Sequence, residues 1–301
     1  MPSDLDISVC ILTYRRPEPL RRLLSALAEQ AGPLPAFEIV IVDNDAAGSA
    51  LAASRQYEGR LPIRYTVEPV PGIAPARNRS VKVSTGRYLA YIDDDCVVGP
   101  EWLREIHAAA LASGAEGVIG PVVRKIEGEP PGPKPRADHL QPPPPRAGMA
   151  LPWYLTHTQN SCLRRSALPG DAPFDPALAL IGGEDVDLFA RMIDAGARLM
   201  AIAGPVVEEY RPAARSSVAW LIRRTFRNGG TVAHVEWRNA SGVRLAWLVL
   251  CALGQAAWQL MRTPFALFRS RSAAFACFLV SVRWFGMAAW AMGIVYREYG
   301  R

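Results

Sequence analysis

Strand-like apolar runs alternate with amphipathic, helix-like stretches along the N-terminal part of this chain, and no other feature narrows its fold as much. ISVCILTY precedes PLRRLLSALAEQ, FEIVIVDND precedes a small-residue stretch near Ser49 to Tyr57, IRYTVEP precedes PARNRSVKVST, and RYLAYIDDD precedes EWLREIHAAALASG. That rhythm belongs to an α/β domain with a mainly parallel sheet. In such a sheet a ligand binds outside the carboxyl ends of the strands. Those ends carry Thr13 and Tyr14, then Asp43, Asn44 and Asp45, then Asp93, Asp94 and Asp95.

The last group needs compensation, because three consecutive carboxylates repel one another at close range. One reading is a solvated turn in which Asp95 or a neighbour caps a helix starting at Gly99-Pro100-Glu101-Trp102. The other is a divalent cation. Neither GxGxxG nor GxxxxGK[ST] occurs in the chain, so a bound phosphate needs a different partner. Mg²⁺ or Mn²⁺ held by carboxylates supplies one, since hard cations take oxygen ligands and bridge diphosphates.

Half of the 301 residues are hydrophobic, enough for a large core. The net charge of +6 comes mostly from arginines around Arg215 to Arg244 and Arg262 to Arg301. Aromatic and aliphatic residues between them favour an anionic membrane surface over nucleic acid as the partner. Five cysteines (Cys10, Cys96, Cys162, Cys251, Cys277) form no CxxC pair, which points to a reducing compartment. The acidic start MPSDLDISVC lacks the pattern of a secretory signal, so export is not expected. His107, His139, His157 and His234 lie too far apart for a local zinc motif and read as surface or packing residues.

Residues 127–148, EGEPPGPKPRADHLQPPPPRAG, are too proline-rich for helix or sheet and read as a long irregular loop, either a functional lid or a flexible insertion. After it come LTHTQNSCLRRSAL and FDPALALIGGEDVDLFARMIDAGARL. The latter ends in an amphipathic helix with Val186, Phe189 and Ile193 on one face.

In their order, SVCILTYRRPEPL, EIVIVDND, GIAPARN, YLAYIDDDC, TQNSCLRRSAL and GGEDVDLFARM resemble the GT-A glycosyltransferases of the large inverting family 2. The resemblance covers roughly residues 7–230, and its nearest likeness is to bacterial polysaccharide-assembly members of the succinoglycan type, whose pattern continues into a segment like RSSVAWLIRRTFRNGG. It implies a Rossmann-like GT-A domain in which Thr13, Tyr14 and Asp43 face the nucleotide base and ribose, with Arg77 and Asn78 also contacting the nucleotide. Asp93 and Asp95 become the D-x-D motif, Asp93 near the ribose and Asp95 on the metal, with Asp94 between them. Read alone, Asp43 is equally a turn residue and Arg77 a solvated helix charge.

The resemblance also makes Asp185 the general base that takes the acceptor's proton, while Glu184 touches donor sugar or acceptor. Gly182 and Gly183 let the backbone approach the sugar and place the acidic pair at a helix start. Without a ligand, Glu184 and Asp185 would merely complement the helix dipole, by roughly 0.3–1 kcal/mol. Asp187, four residues before Arg191, reads as half of a surface ion pair. Many GT-A enzymes place a His after this helix as a third metal contact; here IAGPVVEEYRPAARSS offers Glu208 and Glu209 as oxygen ligands instead, or the diphosphate and water complete the shell. Arg223, Arg224 and Arg227 suit either a phosphate or a lipid-facing basic patch.

These readings divide the chain into a catalytic domain over residues 1–239 and a membrane-associating helical region over 240–301. VRLAWLVLCALGQAAWQL and AAFACFLVSVRWFGMAAWAMGIVY are nearly long enough to cross a bilayer, but Gln255, Gln259 and Arg283 interrupt them and arginines flank both ends. Helices lying in the interface or a shallow hairpin are therefore expected, on the cytoplasmic face of the inner membrane, with a helical subdomain packed on the catalytic domain or across a dimer as the alternative. The resulting expectation is a metal-dependent inverting transferase moving a sugar from a nucleotide diphosphate to a polyprenyl-linked or other membrane acceptor. A nucleotidyltransferase would share the carboxylates but bring a Gly-rich triphosphate signature, and a silent sugar-nucleotide scaffold would show no turnover.

Overall fold

The computed structural model describes residues 5–128 and 145–298. An unbroken apolar run makes a parallel strand only if both of its faces are covered, and β1 (Ile7–Thr13) meets that condition, being buried along nearly its whole length. Helix α1 (Pro17–Ala28) follows, with Pro at its first position and Leu20, Leu23, Leu24 and Leu27 buried on one stripe. Each buried leucine contributes about 1.5–3 kcal/mol. Next come β2 (Phe37–Asp43), α2 (Leu51–Arg55), β3 (Ile63–Val67), α3 (Ile73–Val83) and β4 (Tyr88–Asp93). The expected order of elements is therefore present.

A short strand, β5 (Cys96–Val98), then separates the aspartates from α4 (Trp102–Ser113). The aspartates thus do not cap α4, whose preceding residue is Glu101. The chain continues through β6 (Gly117–Ile119), β7 (Val122–Glu127), β8 (Asn160–Arg164), α5 (Glu184–Asp194), β9 (Leu199–Ala201) and β10 (Val207–Pro212). The main sheet runs β3-β2-β1-β4-β8-β6-β9, and a smaller one runs β5-β10-β7. Strands β3, β2, β1 and β4 are mutually parallel, as are β6 and β9, while β8 runs antiparallel to both of its neighbours. Most of the proline-rich segment, residues 129–144, lies outside the described residues.

The two-residue period of the strands sorts side chains into two cores. Val9, Ile11, Ile39, Ile41 and Ile92 meet the leucines of α1 and Trp102 of α4. Cys10, Leu89 and Tyr91 meet Phe174, Leu188, Phe189 and Met192. On α5 the buried face is thus Leu188, Phe189 and Met192, whereas Val186 and Ile193 are only half-buried. Asp187 does bond Arg191, at 2.8 Å, but it is buried rather than on the surface. All five cysteines are free thiols.

The chain falls into two compact units, one holding the sheets and a second holding Pro212–Glu298. The second contains α6 (Val218–Trp237), α7 (Gly242–Leu267) and α8 (Arg271–Ala291). Helix α6, grouped by sequence with the residues before 240, packs on α8. Their backbones nearly touch: a Cβ on Gly229 would lie 2.0 Å from the carbonyl of Arg283, and one on Gly286 2.0 Å from that of Phe226. Small residues permit such an approach. Helix α8 is tied to α7 by the Ser281 hydroxyl, which donates to the Ala256 carbonyl at 2.8 Å. Both α7 and α8 are long and apolar enough to cross a membrane. Trp247, Leu250, Trp258, Met261, Phe265 and Phe268 of the α7 segment are exposed.

Candidate active site

Strand order reverses at β1, with β2 and β3 on one side and β4 on the other, so the parallel sheet has its switch point between the ends of β1 and β4. Two of the expected residues meet there. The Thr13 hydroxyl donates to Asp94 Oδ2 at 2.8 Å. Asp94 Oδ1 and Asp95 Oδ2 also accept from the two terminal nitrogens of Arg16, at 2.7 and 2.8 Å. Asp94 and Asp95 are buried. The neighbouring residue, Arg15, has φ +52, the single positive φ outside glycine among the described residues.

At the end of β2, Asp43 is fully buried. Its Oδ2 accepts from the Ala50 amide at 2.7 Å and the Tyr65 hydroxyl at 2.8 Å, and its Oδ1 from the Asp45 amide at 3.0 Å. Burial and the bond to Asp43 push the Tyr65 phenol well above its ordinary value. Arg15 bonds Asp45 at 3.1 Å and lies 5.0 Å from the centre of the Tyr14 ring, which is exposed. Tyr14 is thus the one expected nucleotide contact at this edge presented openly to solvent.

Arg77 of α3 is buried against Glu184 of α5, Nε to Oε1 at 2.8 Å, and its other end comes within 3.9 Å of Asp93. Burial alone would lower the Arg77 pKa, but Glu184, Asp93 and Asp185 together raise it. Burial and the nearby Asp185 push Glu184 upward, against the pull of Arg77. Asn78 spends both ends of its amide on the Phe174 backbone, at 2.7 and 2.9 Å. Arg77, Asn78 and Glu184 therefore have internal partners.

Gly182 and Gly183, at φ +84 and +91, turn the chain into α5 through the left-handed region that glycine tolerates. This sets Asp185 in the first turn, half-buried, with the Thr158 hydroxyl 3.5 Å from its Oδ2. His157, by sequence a surface or packing residue, lies beside it. Burial pushes this imidazole down to about 4, despite the opposing charge of Asp185, and its Nδ1 has no partner. The signal was faint, since a lone His before a strand has no motif.

Glu209 reaches the aspartates because β10 pairs with β5, Glu209 opposite Cys96, and the Tyr210 amide donates to the Asp95 carbonyl at 2.9 Å. Its carboxylate is bound by Arg124 at 3.2 Å and Arg211 at 2.7 Å, and Glu208 by Lys125 at 2.6 Å. Both are thus engaged as ion-pair partners. Partial burial and crowding by Asp95, Glu209 and Asp94 push Asp93 up to about 7, with Arg77 opposing. Desolvation, the largest of these causes, and the neighbouring carboxylates all disfavour its charged form. An all-oxygen donor set at a strand end is also what Mg²⁺ or Mn²⁺ takes, so these residues fit a divalent cation.

A nucleotide-type sheet with acidic groups at its switch point and a second acidic pair at a helix start is the arrangement expected of a GT-A glycosyltransferase. The family model for glycosyl transferase family 2 matches residues 8–167, and the chain belongs to that family. It is 35% identical over 271 residues to the succinoglycan biosynthesis protein ExoM of Rhizobium meliloti, covering 84% of this chain and 82% of that protein. It is 29% identical over 269 residues to a pre-mycofactocin glycosyltransferase of Mycobacterium tuberculosis, spanning 86% of this chain but only 53% of that one. The fold is similar to that of the mannosyltransferase PcManGT from Pyrobaculum calidifontis, solved with GDP-Man and Mn²⁺, at TM-score 0.64 and 16% identity over 96% of this chain and 87% of that one. It is also similar to TarS 1-349 of S. aureus in complex with UDP-GlcNAc, at TM-score 0.57 and 16% identity over 97% and 93%.

Proposed function

We propose that this glycosyltransferase is metal-dependent and inverting, and that it moves a sugar from a nucleotide diphosphate to a membrane- or lipid-linked saccharide during surface polysaccharide synthesis at the cytoplasmic membrane face. Thr13, Tyr14 and Asp43 hold the nucleoside side of the donor, and Asp93 and Asp95 hold Mg²⁺ or Mn²⁺. When bound, that cation supplies charge neutralisation for the leaving diphosphate. Asp185 takes the proton of the acceptor hydroxyl as its oxygen attacks the anomeric carbon, and the bond to the diphosphate breaks on the opposite face. A single displacement of this kind inverts the centre.

One observation carries the reading: Arg77 lies between the two acidic centres, on Glu184 at 2.8 Å and within 3.9 Å of Asp93, so the helix start bearing Asp185 is tied to the aspartate run. Asn78 supports that arm by pinning Phe174. The amphiphilic acceptor draws support from the helical unit, where Ile222, Phe226, Val282, Phe285, Val295 and Tyr296 line a groove of about 460 Å³ together with Arg223. An apolar groove with a guanidinium suits a lipid bearing an anionic head. ExoM, a relative matched over most of both chains, is named for succinoglycan biosynthesis.

The test is thermal unfolding with UDP-, GDP- and dTDP-sugars, with and without Mn²⁺, for the wild type and Asp95→Asn. A ligand that binds only the folded state raises its stability. One base should stabilise the wild type only with Mn²⁺, and Asp95→Asn should lose that gain. Equal stabilisation with and without metal would overturn the metal assignment.

A further inference from the structure

The aspartate run already has a cation of its own. Arg16 places one terminal nitrogen 2.7 Å from Asp94 Oδ1 and the other 2.8 Å from Asp95 Oδ2. The two carboxylates are almost fully buried, while the guanidinium keeps 29% of its side chain exposed. The local backbone is built for this placement. Arg15 adopts φ +52, a left-handed conformation that costs any residue with a Cβ, and Pro17 begins α1 immediately afterwards. Arg16, caught between them, is delivered from β1 onto the end of β4. The other oxygen of Asp94 is held by Thr13, so Asp94 is fixed from two sides.

We propose that Arg16 is a resident counter-cation that makes metal and nucleotide binding depend on each other. Resting on the reading of Asp95 as a metal-side carboxylate, the inference has two parts. Without donor, the guanidinium occupies Asp95 Oδ2 and repels a second cation, so free metal binds weakly. When a nucleoside diphosphate arrives, its phosphates offer the partly exposed guanidinium a new anionic partner, and Arg16 can leave Asp95 to the metal while still holding Asp94. Arg16 is accordingly a positioning residue. Such coupling is reciprocal: the factor by which UDP tightens Mn²⁺ equals the factor by which Mn²⁺ tightens UDP.

The experiment measures Mn²⁺ binding by the loss of the free-ion electron paramagnetic resonance signal. It uses the full chain in detergent, without nucleotide and with saturating UDP or GDP, for wild type, Arg16→Gln and Arg16→Lys. Thermal unfolding without ligand confirms that each variant folds. The wild type should show Mn²⁺ tightened by nucleotide on the order of 5–150-fold. Arg16→Gln should bind Mn²⁺ alone more tightly than wild type and show a smaller coupling, leaving only the share that direct contact between metal and diphosphate supplies. Arg16→Lys keeps the charge but not the two-pronged geometry, and should retain weak binding of Mn²⁺ alone with intermediate coupling. A merely structural arginine predicts the opposite sign, with weaker Mn²⁺ in both variants. If wild type shows coupling but Arg16→Gln binds Mn²⁺ alone no better, the Arg16 inference is overturned and the metal reading survives. Absence of Mn²⁺ binding to wild type with either nucleotide overturns both.

Discussion

Replacing Arg77 by Gln removes the cation from a pair in which both partners are buried, leaving Glu184 beside Asp185 without its ion-pair partner and taking a guanidinium from Asp93 as well. Breaking one side of a buried ion pair costs about 3–5 kcal/mol, because the remaining charge stays desolvated. Arg77 also stands 5.5 and 5.6 Å from the ring centres of Tyr91 and Phe174, and those cation–π contacts go with it. A domain of this size loses about 2–4 °C per kcal/mol, so the melting temperature should fall by roughly 6–20 °C. Replacing both partners with apolar residues, Arg77→Met with Glu184→Leu, should recover most of the loss, since no orphan charge then remains. Differential scanning calorimetry of the wild type, the two single variants and the double variant measures the coupling directly. Arg77→Gln melting with the wild type, or a double variant no better than the single, would refute the claim that this pair clamps α3 to α5.

Three further outcomes follow from individual contacts. His157, pushed down to about 4 by burial, refuses a proton that the unfolded chain accepts below about 6.5, so it lowers stability as pH falls through that window, by about 3 kcal/mol in full. Urea unfolding from pH 7.5 to 4.5 should therefore be less pH-dependent in His157→Gln, and identical slopes would contradict it. Gly286→Ala forces a Cβ against the Phe226 carbonyl and should cost about 1–3 kcal/mol or spread α6 from α8, which thermal unfolding and cross-linking between the helices would register. Replacing exposed Trp247, Phe265 and Phe268 with Ser should reduce flotation of the full chain with anionic liposomes, and undiminished flotation would remove α7 from the membrane contact.

The strands were legible because parallel strands covered on both faces must be apolar along their length, and each run ends where polar residues take over, at Thr13, Asp43 and Asp93. That made the ligand edge of the sheet readable before any contact was known. What stayed hidden depends on distance along the chain. Arg77 and Glu184 are 107 residues apart, and no local pattern joins them. Nothing in the sequence distinguishes Arg16 from Arg15, since its placement depends on the positive φ of Arg15. The strand β5, three residues long, has too few positions to show a period, so by sequence a turn from the aspartates into α4 stands beside the cation reading. Asp187 followed the spacing of a surface ion pair, and only the packing of α5 shows that it is buried. Apolar patterning shows which residues avoid water, but not which buried charges find each other.

The central claim is that Asp185 acts on the acceptor's proton and not on the donor, and Asp185→Asn tests it most directly. The substitution keeps size and the first turn of α5 while removing the basic oxygen. A base on the acceptor matters in the transition state and not in donor binding. Donor affinity, read by titration with the sugar nucleotide and Mn²⁺, should stay within about twofold of the wild type, while the transfer rate to acceptor falls on the order of 10²–10⁴-fold. Near-normal transfer by Asp185→Asn, or an equal loss of donor affinity and rate, would contradict the account.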